Sequence, residues 1–178
     1  MDFWSKFVRK SLVTGTVASA LSMAMLMHRS RQEIGTRAAG PNAVSHWLHG
    51  DEALRVNRVT WQHTGLGLAT HHASGIFWAV LYEALLAGVA RAPENRLTPI
   101  DRSLGLDDLR EIDDRGDAAT MIAGAVVVGA VAAAVDLKLV PERVTPGFQR
   151  RLSDRSVAAF YVCFGLGLAV GAALTRRR

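Results

Sequence analysis

Charged positions along this chain collect between long uncharged stretches instead of alternating with apolar ones. Four stretches, residues 11–27, 65–90, 118–135 and 157–174, hold a single Asp, Glu, Lys or Arg between them and are built mainly from Ala, Val, Leu and Gly. Each is close to the length that an α-helix needs to cross a hydrocarbon core about 30 Å thick. The pattern predicts an all-α, polytopic membrane protein: one membrane domain, 1–178, forming a four-transmembrane-helix bundle. The first stretch has a competing reading as a secretory signal, because Lys6, Arg9 and Lys10 precede it like a basic leader region. It is longer than a usual signal core and ends in "LMHRSRQE", without a small-residue cleavage site, so it is read as a spanning helix.

Between the stretches, the 28–64 connection is long for a compact bundle, and long connections carry function or order poorly. Its middle, "NAVSHWLHGDEALRV", places Ser45 as an N-cap before an apolar set of Trp47, Leu48, Ala53 and Leu54, which predicts a short interfacial helix. Trp47 and Trp61 are then interfacial anchors at the membrane boundary. In the second long connection Thr98, Pro99 and Asp101 have the spacing of a helix start, and Asp117 is placed to cap the third span. Pro141 and Pro146 end it on the other side. "RVTW" before the second span and "RVTP" before the fourth, each followed by an aromatic pair (Phe77 with Trp78, Phe160 with Tyr161), suggest two related helical hairpins.

Composition sharpens the picture at one point. Hydrophobic residues make up 49% of the chain but aromatics only 7%, so the apolar mass is small and aliphatic. Lipid gives helices no hydrophobic reason to associate, and small residues that let backbones approach take over that role. Four-residue spacings of this kind are Gly15 with Ser19, Ala125 with Gly129 and Ala133, Gly165 with Ala169 and Ala173, and Gly167 with Gly171. They predict a tight bundle, open to a membrane-protein partner or to a homo-oligomer.

Charge changes the choice of partner. A net charge of +5 raises nucleic acid as a partner, but the basic residues sit in clusters such as "FVRK", "HRSR" and "TRRR" beside the apolar stretches. There they anchor helix ends and attract anionic lipid, so the bilayer is the expected partner and nucleic acid is not. With four spans, about 11 Lys and Arg fall on the face of the termini and 10 on the other. The two tracts "KFVRK" and "RRR" favour termini in the cytoplasm.

Two sets of polar residues within the spans raise chemistry. Glu83 lies about 18 Å along the second span from His71, and ionising a carboxylate that deep costs about 2.5–3.5 kcal/mol. Matching the helices by length sets Glu83 level with Ala18, Ser19, Gly124 and Gly167. It is expected to hydrogen-bond a carbonyl or hydroxyl of a neighbouring helix, or to relay protons. His28, His63, His71, His72 and Asp136 all fall at the opposite face, near His46 and His49. Imidazoles with a carboxylate are a ligand set for a transition metal, and a boundary histidine can hold haem. The plainer alternative is a His71–Asp136 bond between helices, with His72, His63 and His49 in the headgroup layer. His71 and His72 point about 100° apart on a helix, which works against a shared ion. The lone Cys163 leaves no intramolecular disulfide and no cysteine metal motif. There is no phosphate loop and no nucleophile elbow, so no catalytic residues are assigned.

The strings "NAVSHWLHGDEA", "HTGLGLATHHASGIFWAVLYE" and "DLKLVPERVTPGFQRRLS" together resemble a family of small, uncharacterised proteobacterial inner-membrane proteins, distantly similar to the YagU-like membrane proteins. The resemblance implies an inner-membrane location and four helices, and no reaction. The expectation is a structural or accessory subunit of a membrane assembly, with a metal- or haem-binding protein and a small proton-coupled carrier as alternatives.

Overall fold

Inside hydrocarbon every backbone N–H and C=O must be paired within the protein, which a helix achieves locally. The computed structural model describes residues 3–90 and 108–176 and is built in that way. In chain order its helices are α1 (Phe3–Ile34), α2 (Ala39–Val44), α3 (His46–His49), α4 (Leu66–Val89), α5 (Asp108–Ala134) and α6 (Asp154–Arg176). No strand occurs among the described residues. Four segments, Phe3–Ile34, Trp61–Val89, Ala118–Leu139 and Asp154–Arg176, are long and apolar enough to cross a membrane, as expected for a multi-pass protein.

α1 and α6 outrun their apolar stretches at both ends, and α5 at its start, because a helix ends where its backbone bonding ends, not where charge begins. α1 has 32 residues, about 48 Å against a core of about 30 Å. α5 starts at Asp108, so Asp117 is a residue within the helix and not its cap. The expected start at Thr98, Pro99 and Asp101 lies outside the described residues. At the opposite face α4 is preceded by a π-helical turn, Trp61–Gly65, and α5 is followed by another, Val135–Leu139.

α1 lies between α4 and α6, while α5 packs on the far sides of those two and closes the ring. The small residues set these contacts. A Cβ added to Gly15 would stand 2.6 Å from the Cα of Ile76 on α4, and one on Gly171 would stand 2.6 Å from the Cα of Thr14. Gly167 meets the backbone of Ala18 more closely still, and Gly75 meets the hydroxyl of Ser19. Gly129 and Gly165 face each other across α5 and α6 at a looser 3.6 Å.

The two connections of the far face fold together into a cap. α2 is buried throughout, with the carbonyl of Pro41 against Gly67 of α4 where no Cβ fits. Asn42 holds it there: its Nδ2 donates to the carbonyls of Val56 and Arg58 at 2.8 and 3.0 Å, and its Oδ1 accepts from Thr64 Oγ1 at 2.6 Å. The interfacial helix expected around residues 45–54 is a single turn, α3, running into a 3₁₀ turn, Gly50–Glu52, and the buried α2 precedes it. Ser45 does not cap: its hydroxyl donates back to the carbonyl of Asn42 at 2.8 Å.

The second connection closes over the first. Gly147, at a φ of 77° that favours glycine, brings its backbone onto Ala43 and the His46 ring. Arg143 Nε donates to the carbonyl of Trp47 at 3.0 Å, and Arg150 pairs with Asp51 at 3.0 Å. Arg151 donates to Asn57 Oδ1 at 2.9 Å, and desolvation holds its guanidinium below the ordinary arginine pKa. Glu33, at the end of α1, accepts from the backbone N–H and the hydroxyl of Ser153 and from the Ser156 hydroxyl. It thus plugs the start of α6, where unpaired N–H groups and the helix dipole favour a carboxylate.

The proposed hairpin repeat has no geometric counterpart in the cap. Thr60 of "RVTW" caps the turn leading directly into α4, whereas "RVTP" sits in a 3₁₀ turn well before α6.

Candidate functional site

The polar residues of the spans gather on the seam between α1 and α4. On α4 buried residues recur every fourth position, as Gly67, His71, Gly75, Ala79 and Glu83, of which Gly67 meets α2 and His71, Gly75 and Glu83 meet α1. On α1 the buried positions Ser11, Thr14, Ser19 and Ser22 line the same seam with hydroxyls. These short side chains satisfy polar partners without separating the helices. A hydroxyl can also bond its own helix, as Ser22 Oγ does to the carbonyl of Ala18 at 2.8 Å.

Glu83 accepts a hydrogen bond from Thr14 Oγ1 at 2.8 Å and is 3% exposed. The bond to a neighbouring hydroxyl agrees with expectation, and so does the level on α5, where Gly124 lies beside Tyr82, but the level on α1 and α6 does not. Because Gly15 abuts Ile76, the backbone of Glu83 lies seven residues further along α4, about 10 Å towards the start of α1. Thr14 is opposite Gly171, with Thr175 and Arg176 a turn beyond. Glu83 is therefore near the terminal face and not level with Ala18, Ser19 and Gly167. Lengths of apolar stretches do not fix helix register; glycine contacts do. Its neighbour Tyr82 donates to the carbonyl of Met121 at 2.8 Å and ties α4 to α5.

At the other end of the seam, His71 Nε2 lies 3.0 Å from Ser22 Oγ and 3.3 Å from the carbonyl of Ser19, and its ring packs on Phe160. The carbonyl can only accept, so Nε2 carries the proton. Asp136 does not meet His71: its Oδ2 accepts from Tyr161 of α6 at 3.1 Å. The expected His71–Asp136 bond is replaced by two separate bonds, each to a hydroxyl of a different helix.

The remaining histidines scatter. His28 and His72 are exposed. His46 is buried in the cap with Nε2 3.1 Å from the carbonyl of Glu142. His63 is buried against Thr60, and its ring centre is 4.7 Å from that of His49. Among the described residues no three His, Cys, Asp or Glu side chains come together as a metal group. The set His28, His63, His71, His72 and Asp136 shares a face of the bundle but not a point. Trp47 and Trp61 are 39% and 88% exposed at that face.

Tyr161 was read from the sequence only as half of an aromatic pair, and Thr14 and Ser22, the partners of Glu83 and His71, were not singled out. Their signal was present in α1 as hydroxyls recurring on one side of an uncharged stretch. It was obscured because Gly15 and Ser19 on the same side read as packing alone.

The arrangement defines a helical bundle with four candidate membrane-spanning helices and a folded cap at one end. The chain matches no protein-family model, no curated protein and no solved structure.

Proposed function

We propose that this chain is a structural or accessory subunit of an assembly in the bacterial inner membrane, with its termini in the cytoplasm. The observation that carries the reading is a groove of about 320 Å³ between α5 and α6. Gly129 and Gly165 form its floor, and Ile122, Val126, Val162 and Leu166 its exposed rim. α5 is also the least buried of the four spans. Small residues under branched ones let a further helix approach closely in lipid, so the occupant is a transmembrane helix of a partner subunit. The resemblance to small inner-membrane proteins belongs to the same proposal.

A photo-crosslinking side chain at Val126 or Leu166, in native membranes, tests this against one at the exposed Val80 of α4. The expected result is one protein adduct, common to positions 126 and 166 and absent at 80, which a groove-filling Gly129→Leu variant abolishes. Lipid adducts alone overturn the reading, and an adduct of twice the chain's mass replaces it with a homo-oligomer.

A proton-coupled carrier centred on Glu83 is the second reading. What favours it is that Ser11 Oγ and Ser19 Oγ, either side of Thr14, are buried without a partner. Against it, the Gly15–Ile76 contact closes the seam between Glu83 and His71. Loss of proton uptake in liposomes on Glu83→Gln, with the fold retained, supports the carrier; unchanged behaviour removes it.

A further inference from the structure

His49 and His63 are brought together from α3 and the turn before α4, two parts of the first connection. The hydrogen bonds of each ring fix which nitrogen is free. His49 Nε2 lies 3.2 Å from the carbonyl of Gln62. A carbonyl only accepts, so Nε2 holds the proton and Nδ1 is left as a lone pair. His63 Nδ1 lies 3.1 Å from Thr60 Oγ1, while its Nε2 is buried with no partner. Either tautomer leaves this buried nitrogen unsatisfied, at a cost of about 1–3 kcal/mol, and a metal ion relieves that cost only in the tautomer protonated at Nδ1. With the proton on Nδ1, donated to Thr60, Nε2 too is a bare lone pair. Each imidazole thus donates through one nitrogen to a fixed oxygen and leaves the other free, which is how metal-ligating histidines are held.

The ring spacing suits one ion between them. With metal–nitrogen bonds of about 2.0–2.1 Å and about 1.1 Å from ring centre to nitrogen, two imidazoles on a tetrahedral ion have centres about 5 Å apart. The observed separation is 4.7 Å, with the planes inclined at 44°. His63 is 6% exposed, whereas His49 is half-buried and leaves a route for the ion. We propose that His49 and His63 form a two-histidine site for a late first-row divalent ion, Cu²⁺ or Zn²⁺, with water completing its coordination. Imidazole nitrogen suits both, and Cu²⁺ heads the affinity order. The site differs from the scattered set read from the sequence in using His49, and it does not depend on the accessory role.

The test is a Cu²⁺ titration of chelator-stripped, full-length protein without a polyhistidine tag, followed by electron paramagnetic resonance. One ion per chain with hyperfine splitting from two nitrogens is expected. His49→Ala and His63→Ala should each weaken binding by about tenfold or more, and Thr60→Val less. His28→Ala and His72→Ala should leave it unchanged. If His63→Ala fails to fold, His49→Ala decides, because that residue is only partly buried. Absence of a one-to-one complex up to about 1 mM Cu²⁺, or binding that survives His49→Ala, overturns the proposal.

Discussion

At the scale of single residues, three ionisable groups of the spans are matched to hydroxyls: Glu83 to Thr14, His71 to Ser22, Asp136 to Tyr161. Bonds of this kind between membrane helices are worth about 0.6 kcal/mol on average and at most about 1.7. Thr14→Val and Glu83→Leu should therefore each lower stability by about 0.5–2 kcal/mol, and the double variant should cost less than their sum. Glu83→Gln, whose amide oxygen still accepts from Thr14, should stay within about 0.5 kcal/mol of the parent. Reversible unfolding in mixed micelles measures all four proteins. An additive double variant would sink the Thr14–Glu83 pairing. That Glu83 needs a partner was legible in the sequence, because an isolated carboxylate in an apolar stretch demands one. The identity of the partner was not, because it depends on how α1 and α4 are offset.

At the scale of elements, that offset is written in glycines. Of the small residues read from the sequence, Gly15, Ser19, Gly129, Gly165, Gly167 and Gly171 lie at helix contacts, and these are unequal in tightness. Gly167 admits no side-chain atom beside Ala18, while Gly129 has ordinary contact distance to Gly165. Gly167→Val should push α1 and α6 apart and cost about 1–3 kcal/mol, whereas Gly129→Ala should be nearly neutral, because the added methyl fits and helix propensity improves. Unfolding of the two variants under one condition gives the comparison, and equal losses would contradict the described packing. The number of spanning helices followed directly from the uncharged stretches. The buried α2 did not, because "AGPNAV" is too short and too mixed to show a face, and its burial rests on Asn42 reaching the carbonyls of Val56 and Arg58.

At the scale of the whole molecule, both connections of the far face form one cap, held by contacts such as Asp51 with Arg150 and His46 with Glu142. In a Cys163→Ser background, cysteines placed at the exposed Glu52 and Glu142 should react with an impermeant reagent from the same side of the membrane, and one at Trp4 from the other. Labelling of 52 and 142 from opposite sides would refute the shared cap. Such adjacency was invisible in the sequence, since nothing local marks residues about a hundred positions apart as neighbours. The seating of α1 against α6 has a further consequence for how the protein is made. α1 is made before the other three spans and finds its tightest partner in the one made last of the four. At synthesis rates of about 5–20 residues per second, the side of α1 carrying Thr14 and Ala18 spends on the order of ten seconds in the bilayer before α6 arrives. Nascent chains stopped before the fourth span should therefore be the ones that insertion chaperones retain and membrane proteases destroy.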